Sequence, residues 1–158
     1  GGMARPFAAT LFDKSPSANW LVAWHQDAVL PLREQRAAAG WGPWSKKAGV
    51  IYARAPVTAL ERVVALRLHL DDSTASNGPL RVLPGSHLHG VLSAAAIARF
   101  AAQLTPVECA ARKGDALVMR PLLLHASSKS RLPVPRRVLH LEYASATIME
   151  EGLELAVA

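Results

Sequence analysis

The chain has 158 residues, 51% of them hydrophobic and 19% charged, enough for one domain with a real core and too few for two that fold independently. That apolar content excludes a disordered chain, and no run approaches the roughly 18 unbroken apolar residues of a membrane-spanning helix. A single cysteine, Cys109, excludes an internal disulfide and makes a cytoplasmic protein the expectation. The net charge of +6 is scattered, with one cluster at Lys129, Arg131, Arg136 and Arg137 and few aromatics to stack on bases, which argues against nucleic-acid binding. Gly1 and Gly2 ahead of Met3 read as an addition to a natural chain that starts at Met3, with no signal-peptide pattern after it. Residues 3–158 are expected to form one domain.

In chain order, short apolar runs broken by Gly, Pro, Asn and Ser predict an all-β fold, with strands at 7–12, 20–27, 49–53, 62–70, 80–83, 107–111, 116–119, 122–126 and 137–144. Nine or so strands suit a sandwich or barrel. The stretch 33–47 carries charges, Gly40, Gly42, Pro43, Trp41 and Trp44 with no clean period, and is expected to be a loop or lid. Its two tryptophans then serve either a substrate lid or a dimer contact. Asn77-Gly78 and Lys113-Gly114-Asp115 predict turns. One helix is expected over 93–104, capped by Ser93, with Ile97, Phe100, Ala101 and Leu104 packing on the sheet. Cys109 reads as a small buried hydrophobe.

The segment Trp20-Leu21-Val22-Ala23-Trp24-His25-Gln26-Asp27 carries the first candidate chemistry. On a strand, His25 and Asp27 project side by side, and Trp20, Val22, Trp24 and Gln26 point to the other face, where Trp20 and Trp24 read as packing residues. An imidazole and a carboxylate so placed can occupy adjacent positions on one metal ion, although His-x-Asp also occurs as a surface pair or a plain hydrogen bond. His125 follows the apolar run Leu122-Leu123-Leu124 and needs a partner if buried. Ser127, Ser130 and Arg136 come after it. Two histidines and a carboxylate leave three coordination positions open, the arrangement of non-haem Fe(II) oxygenases, and a guanidinium offers a fork of donors to a dicarboxylate.

Five short motifs stand in one order: Trp24-His25-Gln26-Asp27, Leu70-Asp71-Asp72, the run from Asn77 through Gly78, Pro79, Pro84 and Gly85 to His87 with Gly90, Gly114-Asp115-Ala116-Leu117, and His125-Ala126-Ser127 with Arg136. In these, from about Phe12 to Tyr143, the chain resembles the phytanoyl-CoA dioxygenase family of Fe(II)/2-oxoglutarate oxygenases. The resemblance implies a double-stranded β-helix, or jelly-roll, with His25, Asp27 and His125 as iron ligands at its mouth. It also implies that Arg136, helped by Ser127, holds the distal carboxylate of 2-oxoglutarate, which is consumed with O2 as a small organic substrate is hydroxylated and succinate and CO2 are released. Asp27 argues against halogenation, since related halogenases lack that carboxylate.

Strand alternation leaves a choice open. Arg137 shares a face with Leu139, Leu141 and Tyr143, and Arg136 with Val138, His140 and Glu142, so an inward apolar face would turn Arg137 inward instead. Lys14 is a weaker candidate for a second co-substrate contact. Family members usually carry helices and strands before the first metal ligand, whereas His25 comes early here. The expected outcomes are a minimal core, a homodimer that covers an exposed sheet, or a catalytically silent jelly-roll that binds metal and an anion. A metal-dependent isomerase or hydrolase would need a spare base, for which His69 or Glu142 is available. Arg67, His69 and Asp71 form one polar face that can line the pocket. His87 and His89 read as part of a structural turn and His140 as a hydrogen-bonded barrel residue.

Overall fold

The computed structural model describes residues 4–157, so the expectation for Gly1, Gly2 and Met3 lies outside the described residues. Eleven strands are present: β1 (Arg5–Lys14), β2 (Val22–His25), β3 (Val29–Leu32), β4 (Trp44–Lys47), β5 (Val50–Arg54), β6 (Val63–His69), β7 (Leu80–Val82), β8 (Val107–Cys109), β9 (Ala116–Met119), β10 (His125–Ser127) and β11 (Arg136–Ala144). Two helices join them, α1 (Val57–Leu60) and α2 (Ala94–Gln103).

Eight of the strands form two antiparallel four-stranded sheets, a long one in the order β1-β11-β6-β9 and a short one in the order β2-β10-β7-β8. Counted along the chain without β3, β4 and β5, these orders are 1-8-3-6 and 2-7-4-5. Every consecutive strand therefore alternates between sheets except across the turn from the fourth to the fifth, which is the winding of a jelly-roll. The fold is thus a double-stranded β-helix, and all eight of its strands are present. The third sheet, β3-β5-β4, is inserted between the second and third jelly-roll strands.

The loop expected at 33–47 is present over 33–43, whereas 44–47 form β4 of this insertion, and the lid role is corrected. β4 and β5 form a hairpin through Ala48-Gly49, both at positive φ (47° and 85°), and β3 pairs with β5. Trp41 is no lid: it is buried beside Leu30, Leu32, Ala53, Leu60 and Phe7, and half-buried Trp44 packs against the same cluster. Met149, Leu153 and Leu155 from the C-terminal tail complete it. The largest apolar core therefore lies under the inserted sheet. A smaller one, Ala65, Leu80, Val82 and Met119, joins the two jelly-roll sheets, and half-buried Cys109 packs against it.

Along β6 burial alternates strictly, Val63, Ala65, Arg67 and His69 inward, and Val64, Leu66 and Leu68 outward. On β11 it is Arg136, Val138 and His140 that are buried, and Arg137 is exposed. The long sheet thus turns its polar face inward and keeps leucines on its outer face, where Leu11 and Val118 are more than half exposed. This is the reverse of an ordinary sheet, and it resolves the open choice of face: Arg136 faces in. Other corrections are smaller. The strand expected at 20–27 spans only Val22–His25, and the one expected at 122–126 begins at His125, because 121–123 form a turn. α2 is capped as expected, Ser93 Oγ accepting from the Ala96 amide at 3.2 Å, yet none of its residues is fully buried. No helix among the described residues is long and apolar enough to cross a membrane.

Candidate metal and anion site

A cavity of about 380 Å³ opens between the inward faces of the two jelly-roll sheets. His25 ends β2 and His125 opens β10, directly paired across the short sheet. Asp27 lies just past β2, its amide donating to the Pro121 carbonyl at 2.9 Å. Ligand-capable atoms of the three lie within 4.8 Å of one another, the one such group among the described residues. The Asp27 carboxylate stands between the rings, Oδ1 at 3.4 Å from His25 Nε2 and Oδ2 at 3.4 Å from His125 Nε2.

The other nitrogen of each ring is already engaged: His25 Nδ1 lies 2.9 Å from the Ala23 carbonyl and His125 Nδ1 2.8 Å from the Leu123 carbonyl. A carbonyl can only accept, so each ring carries a proton on Nδ1 and turns Nε2 toward the shared point. The hydrogen bond to Asp27 raises the His25 pKa, whereas burial lowers that of His125. Both rings face one carboxylate, but only His25 is hydrogen-bonded to it, and His125 is the more buried of the two. Burial alone would raise the Asp27 carboxyl, but the hydrogen bond from His25 and the two imidazole charges leave it lowered. A cation taken up here would meet the Asp27 carboxylate and both Nε2 atoms, displacing the proton that His25 shares with Asp27.

A bulge sets this wall. His125 pairs with His25 and Ser127 with Val22, so β2 has one residue more than β10 over that stretch. Val22 and Trp20 consequently line the same cavity as His25, contrary to the alternation expected for a regular strand. Trp24 does turn away, under the Arg81 guanidinium at 5.5 Å.

Farther in, the cavity is cationic. Lys14 and Arg136 are paired across β1 and β11 and are 1% and 3% exposed. Lys14 Nζ donates to Ser127 Oγ at 2.8 Å and to the Ser128 carbonyl. The Arg136 Nε is buried with no hydrogen-bond partner, and no carboxylate pairs with Arg136 among the described residues. Two buried cations side by side without an anion are costly unless a ligand supplies one. Arg137, in contrast, is held on the surface by a two-pronged pair with Asp71 at 2.8 Å, which brings the Asp71 carboxyl down to about 2.

Of the polar β6 face only Arg67 lines the cavity. Its guanidinium lies 3.1 Å from His140 Nδ1 and 5.2 Å over the Phe12 ring. His69 is buried outside the cavity with neither ring nitrogen partnered, which removes it as a spare base there. Asp71 belongs to the surface pair. His87 and His89 lie in a one-turn 3-10 helix, His89 edge-on to Phe100, and neither lines the cavity. Sequence reasoning missed Gln26, whose amide bridges three backbone groups beside the site; no periodicity marks such a role.

The fold and the convergent donors define a jelly-roll protein with a potential metal centre. A family profile described as Phytanoyl-CoA dioxygenase matches residues 3–138, and the chain belongs to that family. No curated protein matches it in sequence. Among solved structures, AviO1 from Streptomyces viridochromogenes Tue57 is 27% identical with a TM-score of 0.61, the match covering 89% of this chain and 51% of that one. EvdMO1 is 25% identical with a TM-score of 0.64, covering 90% of this chain and 27% of that one. EctD from S. alaskensis, solved with 2-oxoglutarate and 5-hydroxyectoine, shares the fold at 20% identity and a TM-score of 0.63, covering 90% and 45%. The chain thus spans about half the length, or less, of these structures.

Proposed function

We propose that the chain is an Fe(II)/2-oxoglutarate-dependent oxygenase that hydroxylates a small organic substrate, with release of succinate and CO2. The observation that carries this is the pairing, in one cavity, of a two-histidine, one-carboxylate cluster with an anion-less pair of buried cations. His25, Asp27 and His125 hold the iron, and the donor set fits it: both Nε2 atoms face one point beside the carboxylate. Iron, when bound, supplies the activation of O2 by the keto acid. Arg136 and Lys14 hold the distal carboxylate of 2-oxoglutarate, with Ser127 positioned through Lys14. Phe12, Trp20 and Val22 wall the cavity against water. Eight complete jelly-roll strands and an open cavity favour this over a silent protein.

The test is an anaerobic titration of the apo-protein with Fe(II) and then 2-oxoglutarate, read by the weak visible charge-transfer band of a chelated keto acid. The band is expected in the wild type and in Arg137→Ala, and is expected to be lost or strongly weakened in Arg136→Ala. Asp27→Ala and His125→Ala are expected to abolish succinate release while keeping the circular dichroism of the fold. Undiminished succinate in either, or no band despite tight metal binding, overturns the proposal.

A further inference from the structure

The cavity has a strong polarity along its length. On β11 the inward residues run Arg136, Val138, His140 and Glu142, six positions or about 20 Å from first to last. Lys14 stands beside Arg136 at one end. Glu142 and Asp27 are the two acids that line the cavity. Asp27 is engaged by both imidazoles, whereas Glu142 forms no ion pair among the described residues.

Three features keep Glu142 unpaired. Its direct neighbours across the sheet are Ala8 on β1 and Ala65 on β6, two methyl groups that leave room beside the carboxylate and donate nothing. His140, next on the same face, is held neutral, its pKa brought down to about 4 by burial and by the Arg67 charge. Arg67, the nearest cation by register, is turned the other way, bonded to His140 and lying over Phe12, whose row is farther from Glu142. A half-buried carboxylate aimed into a cavity with no donor pays a desolvation cost that nothing in the protein returns. Burial, with the Asp27 charge, raises its pKa to about 7.

We propose that Glu142 is a specificity-determining residue, and that the substrate taken into this cavity is an organic amine whose ammonium group pairs with the Glu142 carboxylate. The inference rests on the oxygenase reading for what happens to the substrate, but not for its binding. A cation suits the position better than a neutral hydroxyl because an ammonium favours the ionised form of Glu142 and compensates its charge in a partly desolvated site, through a shorter and stronger hydrogen bond. The deep end, crowded with Lys14, Arg67 and Arg136, rejects the same ammonium, so the amine end of the substrate is held at the mouth and the co-substrate at the base.

Ligand-observed NMR on the full chain tests this with three probes of equal length, n-pentylamine, n-pentanol and n-pentanoate. Pentylamine is expected to bind about 10-fold or more tightly than pentanol, and pentanoate not to compete for the same place. Glu142→Gln, which keeps the shape, is expected to bring amine and alcohol within about 2-fold of each other, and Glu142→Asp to keep the preference for the amine. Mn(II) added to the wild type is expected to broaden the pentylamine signals, which places the amine in the same cavity as the metal cluster. Equal affinities in the wild type, or an amine preference unchanged in Glu142→Gln, overturn the inference, and so does a Glu142-dependent preference for pentanol. Failure of the oxygenase reading instead removes succinate release and leaves the amine preference in place.

Discussion

Gln26 sits between two of the proposed ligands, and its amide does the work of three backbone partners: Nε2 donates to the Gly90 and Leu122 carbonyls at 2.9 and 2.8 Å, and Oε1 accepts from the Leu92 amide at 2.8 Å. It ties the end of β2 to two separate turns and so fixes where His25 and Asp27 point. Gln26→Ala is expected to leave the fold intact and to weaken Fe(II) or Mn(II) binding about 10- to 100-fold, as loss of an outer-shell contact does, measured by calorimetric titration. Lys14 gives a second residue-scale expectation. Burial first, and then the Arg136 and Arg67 charges, bring its pKa down to about 8. The protonated form is the one that pairs with an anion, so 2-oxoglutarate affinity is expected to fall as pH rises through the region above 8, the bound dianion moving the midpoint upward. Lys14→Met is expected to bind more weakly at pH 7 and to lose that pH dependence; an identical profile in the variant would show that Lys14 is not an anchor. That His25, Asp27 and His125 converge was legible in the sequence, since their side chains carry the chemistry that groups them. Lys14 was only a weak candidate and Gln26 had no assigned role, because the register of β1 on β11 and the packing of two turns are what place them.

At the scale of elements, the turn at Asn77-Gly78 shows how a signal can be right for more than the expected reason. Asn77 Oδ1 accepts from the Thr74 amide and Nδ2 donates to the Asp72 carbonyl at 2.8 and 2.7 Å, and Gly78 takes the positive φ of 70° that glycine tolerates. In addition, a Cβ on Gly78 would collide with the carbonyl oxygen of Ser128, the oxygen that accepts from Lys14. Gly78→Ala is therefore expected to cost about 2 kcal/mol or more, a fall in Tm of about 4 to 8 °C, and to weaken 2-oxoglutarate binding by displacing that carbonyl. A fall in Tm without loss of binding would separate the turn from the anion site. Of the inserted sheet only β5 was legible, as the strand expected at 49–53, and β3 and β4 were not, for physical reasons. Pro31 lies inside β3, where a missing N–H argues against a strand, and the β4–β5 turn places an alanine, Ala48, at positive φ, where pattern reasoning looks for Asn or Gly. β11 misled in the opposite way, since its apolar face is the outer one.

For the whole molecule, the placement of the core decides what a bound metal does to stability. The large apolar cluster joins the inserted sheet, α1, the C-terminal tail and one end of the long sheet. The short sheet is made of strands of three or four residues, and beneath β2 and β10 lies the cavity instead of side-chain packing. That sheet thus has less apolar burial than the long sheet to oppose local opening. His25 comes from β2, His125 from β10, and Asp27 from the connection into the inserted sheet, so a metal bound to all three ties together the pieces that packing leaves loose. Mn(II) at 100 times its Kd is expected to stabilise the protein by about 2.7 kcal/mol, a rise in Tm of about 5 to 10 °C. Hydrogen exchange should locate the gain, with amides of β2 and β10 slowed by metal and those of β6 and β11 little changed. Asp27→Ala is expected to abolish both effects. A rise in protection spread evenly over the two sheets would mean that the jelly-roll opens as one unit and that the metal acts on the whole fold instead of on its weaker wall.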